Sequence, residues 1–304
     1  MTSLFVESPH VAPRKVEGEP TASGSLVTFF LLTYVVTWMS WIAAWAIFGG
    51  GASAGHPRPG LQMLFFFLGT FAPSFVAVWL TARHEGRAGV RELFRRLLQW
   101  RVGLRWYVFA LTYIAAIKLA AALIHRLATG EWPRFGDEPL YLMLAATIGS
   151  TLLLGQAGEE IGWRGYALPR LAARFGLARA SIVLGIIWAA WHLPLFFIPG
   201  TDTTGQSFPL YLLQVTALSV AIAWLYANTN GSLLLTMLMH AAGNNTKDIV
   251  PSVVQNATNP FALSTSLVAW LTAGLLWVCA GYFLVRMQLA SQSRVHHPQS
   301  SALD

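Results

Sequence analysis

Two adjacent acids, Glu159 and Glu160, stand at the end of an apolar run and are followed by Trp163 and Arg164, in a 304-residue chain that is 55% hydrophobic and only 11% charged. Two later apolar runs each carry one histidine, His192 and His240, and Asn244 follows the second histidine by one helical turn. Charged groups inside a membrane helix are costly, so they ordinarily face a partner or a wet cavity and mark function. The chemistry open to such a set is activation of water. A carboxylate takes the proton, a histidine orients or relays it, and a histidine with an amide donates hydrogen bonds to the oxyanion formed at a carbonyl. The implied reaction is amide hydrolysis.

Adjacent residues on a helix point about 100° apart, so Glu159 and Glu160 cannot share one task. Arg164 stands four residues after Glu160, where an ion pair neutralises that acid and leaves Glu159 on another face. The plainer alternative leaves both acids in water at a helix end, with Arg164 as an interfacial anchor. Depth argues against it. If the helix runs on until Pro169 stops it, Glu159 lies about 14 Å inside its end by helical rise, His240 about 14 Å from Gly231, and His192 about 18 Å from Ala180. His240 and Asn244 share a face and are flanked by Ala241, Ala242 and Gly243, small residues that admit another helix or a substrate backbone. Trp188 and His192 have the same one-turn relation.

The elements that must position these groups are membrane helices. A mean hydropathy of +0.52 with 13 tryptophans describes an integral membrane protein. Eight apolar runs are long enough to cross the bilayer, over approximately 26–48, 61–82, 104–128, 139–161, 180–199, 208–227, 231–248 and 266–290. The expected fold is therefore an all-α polytopic bundle of about eight transmembrane helices spanning 25–290, with a catalytic core at 139–248 and disordered cytoplasmic tails at 1–24 and 291–304. Eight crossings put both termini on one side, and that side receives 15 of the 20 Lys and Arg. The positive-inside rule makes it cytoplasmic, in a bacterial cell membrane, and the site is expected to open there too. Seven of these arginines, from Arg83 to Arg105, cluster before and at the start of the third span. There Val90, Leu93, Phe94, Leu97, Leu98 and Val102 recur at helical spacing, the pattern of a basic helix in the headgroup plane with Glu92 paired to Arg96. Anionic lipids are the partner this placement favours, and nucleic acid is not.

The three motifs together resemble those of the CAAX prenyl endopeptidase and bacteriocin-processing group, also called the abortive-infection family of intramembrane proteases. Two glutamates and then an arginine after three residues match Glu159, Glu160 and Arg164. An aromatic four positions before a histidine matches Trp188 and His192, where phenylalanine is commoner. A histidine and an asparagine separated by three residues match His240 and Asn244. The resemblance implies that Glu159 is the general base, with His192 beside the attacking water, that His240 and Asn244 form the oxyanion site, and that Glu160 and Arg164 support them. It also implies a membrane-associated peptide or protein as substrate.

Members of that family are commonly called metalloproteases, and Glu159, His192 and His240 would supply a two-histidine, one-carboxylate zinc site with an open position for water. No H-E-x-x-H pair is present, however, and Asn244 suits an oxyanion donor better than a metal ligand, so the residues favour a metal-free glutamate mechanism. Other functions fit parts of the pattern. A transporter also places acids and histidines at mid-depth, and Lys118 in the third span would suit a proton path. A noncatalytic immunity or scaffold protein is the second alternative. Cys279, the lone cysteine, excludes an intramolecular disulfide and reads as a packing residue in an apolar helix.

Overall fold

Long stretches of Leu, Ala, Val, Ile and Phe without interior charge leave the backbone one way to satisfy its polar groups in lipid, which is helix. The computed structural model describes residues 21–47, 60–152, 156–252, 259–263 and 265–296, and contains helices and no strand among them. The helices are α1 (Thr21–Ile47), α2 (Gly60–Arg95), α3 (Leu104–Thr129), α4 (Leu140–Leu152), α5 (Ala157–Glu160), α6 (Leu168–Phe175), α7 (Leu177–Trp191), α8 (Phe208–Asn228), α9 (Leu233–Thr246) and α10 (Leu267–His296). A π-helical segment, Ile161–Ala167, joins α5 to α6.

Among the described residues six helices are long and apolar enough to cross a membrane: α1, α2, α3, α7 with its 3-10 extension, α8 and α10. They present large apolar side chains outward, among them Leu31, Val35 and Met39 on α1 and Val278 and Val285 on α10. The other two expected spans, 139–161 and 231–248, correspond to shorter elements, α4 followed by α5, and α9. Of the expected tails, residues 1–20 and 297–304 lie outside the described residues, while 21–24 begin α1 and 291–296 end α10.

Packing puts the motif-bearing helices at the centre. α2 lies between α1 and the α5–α6 segment, α7 between α6 and α8, and α9 against α3 and α4, while α10 closes on α3 and α8. Close approach of α7 to α8 requires Gly185, where a Cβ would stand 2.7 Å from the Thr216 Cα. α1 is tied to α7 by polar bonds as well as by packing. Trp191 Nε1 donates to Thr37 Oγ1 (2.9 Å), Trp38 Nε1 donates to the Trp191 carbonyl (2.9 Å), and the Tyr34 hydroxyl donates to the Ile187 carbonyl.

Two local expectations meet different fates. The basic helix after the second span exists, as a continuation of α2 beyond a kink at Gly86, with Leu93 buried, Arg87, Arg91 and Arg95 exposed, and Glu92 paired to Arg95 (2.7 Å) and Arg96 (3.5 Å). Pro169, expected to stop the helix that carries the acids, does not. The π-wound turn before it makes Pro169 part of the first turn of α6, where a missing N–H breaks no helical bond. The rod continues to Phe175 and ends at Gly176, whose φ of 76° turns the chain back into α7.

Candidate active site

The acid doublet lies where α5 passes into the π-helical segment, and every residue of that segment is buried. Such turns recur at functional sites because they redirect side chains within an otherwise regular rod. Here the two acids diverge. Glu160 has no exposure, and its Oε1 accepts from Arg164 Nη1 at 2.7 Å and from His240 Nδ1 at 3.0 Å. Arg164 is equally buried, so it is an internal partner and not an interfacial anchor. Its guanidinium carbon also lies 4.2 Å from the centre of the Trp188 ring.

Glu159 instead faces a cavity of about 520 Å3, within the size range of small-ligand sites. Trp188, His192, His240 and Asn244 line the same cavity, so the structure brings together all four candidate catalytic residues. Glu159 Oε2 accepts from Trp188 Nε1 at 2.8 Å and lies 4.0 Å from His192 Nε2. His192 Nδ1 lies 2.8 Å from the Trp188 carbonyl, which can only accept, so Nδ1 carries a proton and Nε2 presents a lone pair beside Glu159 when the ring is neutral. The same reasoning commits His240 Nδ1–H to Glu160 and leaves His240 Nε2 for the cavity. Asn244, one turn on, is exposed, and its side chain has no hydrogen bond among the described residues.

Trp188 therefore contacts Glu159, Arg164 and both histidines. It donates to Glu159, lies under Arg164, and packs edge-on against His240 (centroids 5.0 Å apart) and His192 (5.9 Å). Its indole N–H is a functional group that the sequence reading missed, since the position was weighed only as an aromatic shape. The replacement of the commoner phenylalanine was the signal available. Lys118, Gln156 and Tyr211 also line the cavity, and Gln156 Oε1 is buried without a hydrogen-bond partner among the described residues.

The cavity corrects one expectation. Its outer lining comes from Gly200–Thr203 and Gln206, between α7 and α8, and from Lys247, Asp248 and Ser252, after α9. The opposite ends of α8 and α9 meet the arginine-rich connection, where Ser232 Oγ donates to the Gln99 carbonyl (2.6 Å) and Arg96 bonds the Tyr226 hydroxyl (2.8 Å). The exposed lining residues Asp202 and Asp248 thus stand at the end of the bundle away from the arginine cluster. A cytoplasmic mouth and a cytoplasmic arginine-rich end exclude each other.

With this geometry in place, kinship can be judged. Residues 139–246 match the family model described as Type II CAAX prenyl endopeptidase Rce1-like. Over 231 residues the chain is 26% identical to CAAX prenyl protease 2 of the archaeon Methanococcus maripaludis, covering 73% of this chain and 83% of that protein. The chain is similar to CAAX prenyl endopeptidases. The resemblance carried by the three motifs is borne out, and it supports a CAAX-protease-like endopeptidase. With six apolar helices of crossing length, this is an integral, multi-pass membrane protein.

Among the described residues no group of three His, Cys, Asp or Glu is arranged to hold an ion. As placed, Glu159, His192 and His240 form no two-histidine, one-carboxylate metal site among the described residues.

A buried ion pair is costly to break from one side, by about 3–5 kcal/mol, because the remaining charge is stranded. Arg164→Met is expected to lower the melting temperature of the detergent-solubilised protein sharply, and Glu160→Leu added to it to recover part of the loss. An unchanged melting temperature in the single variant would contradict this role.

Proposed function

We propose that this chain is an intramembrane endopeptidase that cleaves a membrane-associated, CAAX-like peptide or protein with a water activated by Glu159 and His192. The observation that carries the reading is the 4.0 Å gap between Glu159 Oε2 and His192 Nε2, two acceptors lining one cavity. A water seated there gives one hydrogen to each and turns a lone pair towards a carbonyl. Attack transfers the water proton to Glu159, which then delivers it to the departing amine. Trp188 N–H holds the carboxylate in place, and the second lone pair of Oε2 stays free for the water.

The opposite side of the carbonyl belongs to His240 and Asn244. His240 donates to an oxyanion from Nε2 when the ring carries both protons, while its Nδ1–H stays on the Glu160 carboxylate. The exposed Asn244 amide closes on the oxyanion when a peptide fills the space around it. Arg164 keeps Glu160 ionised and so sustains His240 in this role. At the far end of the bundle, the exposed Arg83, Arg87, Arg91, Arg95, Arg101 and Arg105 suit anionic lipid headgroups.

Three outcomes test this reading. Glu159→Gln is expected to reduce cleavage of membrane-protein substrates to background while the protein remains folded, measured by comparing the peptides released from membranes carrying either form; near-normal turnover would defeat the mechanism. Trp188→Phe keeps the ring and removes the N–H, so turnover should fall about tenfold with little change in KM; unaltered kcat would show that the indole only fills space. Prolonged dialysis against a chelator is expected to leave full activity in a preparation verified as metal-free by elemental analysis, and activity restored only by zinc would overturn the metal-free scheme.

A further inference from the structure

The cavity contains a cation that water activation does not use. Lys118 lies in the middle of α3 with 4% exposure, yet it lines the same cavity as Glu159. Its ammonium donates to the Val250 carbonyl and to Ser252 Oγ, each at 3.2 Å, and both acceptors are neutral. An ammonium has three donors, so one remains. No carboxylate lies within 4 Å of it among the described residues. Asp248 acts on it only from a greater distance and is itself exposed, while Lys247, also nearby, is engaged with Asp202 at 2.9 Å. Removing a cation from water without an anionic partner costs several kcal/mol, and an arriving carboxylate recovers much of it.

Position gives this cation a use. Ile114, one turn before Lys118, stands against α9 at Gly243, where a Cβ would lie 3.5 Å from Ile114 Cγ1. Lys118 is therefore level with the end of α9 near Lys247, about 10 Å beyond His240 by helical rise, towards the mouth. That distance is the reach of about three extended residues.

We propose that Lys118 forms a carboxylate-binding subsite in the catalytic cavity and anchors the charged end of the peptide whose bond meets Glu159 and His192. The assignment of the bound peptide as substrate rests on the endopeptidase reading above; the anchoring itself does not. The carboxylate comes from the peptide C-terminus or from an acidic side chain close to it. Lys118 thereby sets how far from that charge the cut falls.

The test uses the full chain in lipid nanodiscs, carrying Glu159→Gln so that bound peptide persists, and three fluorescent probes read by anisotropy. Each probe has a farnesylated cysteine followed by three residues: apolar with a free C-terminal carboxylate, apolar with a C-terminal amide, or amidated with aspartate last. The free acid is expected to bind tighter than the apolar amide by on the order of tenfold to a hundredfold. Lys118→Gln, which keeps donors for Val250 and Ser252, should erase that difference without changing the affinity for the amide, and Lys118→Arg should retain part of it. Tight binding of the aspartate probe would support the subsite with a side chain as the source of the anion. Equal affinity of all three probes in the Lys118 protein overturns the proposal, and needs no Lys118 variant to fold. An equal loss for both probes in Lys118→Gln overturns it as well. Cleavage of the free acid by the Glu159 protein is followed separately by mass spectrometry. Absence of cleavage with discrimination intact would refute the endopeptidase reading and leave the anchor standing.

Discussion

The Glu160–Arg164 pair is the constraint on which the site depends. Both side chains have no exposure, so each would be intolerable without the other, and Glu160 Oε2, with Arg164 Nε and Nη2, has no hydrogen-bond partner among the described residues. His240 satisfies the carboxylate oxygen that Arg164 also holds, and Trp188 lays its ring beneath the guanidinium. Each of those partners reaches the cavity with another edge. The pair therefore fixes two catalytic-site side chains on two different helices, α7 and α9, against a third rod, α5–α6. Glu159 is left free by the same arrangement, because the next residue in sequence has taken the inward direction.

How much of this could be read from residues alone follows the range of the interactions. The divergence of the two acids and the Glu160–Arg164 pair are local, one residue and one turn apart, and were legible. Convergence of Glu159, His192 and His240 on one cavity was legible from their depth in separate apolar runs. Pro169 was misread because a π-wound turn resets the helical register, and no spacing rule signals that. Two of the eight expected crossings are shorter elements, since an apolar run records affinity for lipid or protein interior without distinguishing them. The His240–Glu160 bond spans 80 positions and joins α9 to α5, so only the fold reveals that the supporting acid orients the histidine.

Trp188 illustrates a different limit. Sequence marked the position as aromatic and marked its departure from phenylalanine, but the consequence of one added N–H depends on what stands opposite. Here a carboxylate does. The indole both packs against the two imidazoles and donates to Glu159. A bond of this kind to an ionised acceptor is worth more than a neutral one, which is enough to hold the Glu159 carboxylate in place.

The position of the mouth bears on how a peptide reaches the site. Charge placement marks the end of the bundle that a cytoplasmic leaflet retains, and it says nothing of where the interior is open. In this chain the two ends are specialised: arginines and the α8–α9 turn at one, the cavity rim with Asp202, Lys247 and Asp248 at the other. If the arginine-rich end is cytoplasmic, a water-borne peptide enters from the opposite face, and a cytoplasmic substrate would have to come through the lipid between helices. The exposed Phe67 of α2, which lines the cavity while facing outward, gives that lateral route an apolar edge. A substrate carrying a hydrocarbon anchor is suited to such a path, because its anchor stays in the bilayer while only the polar peptide crosses into the hydrated interior.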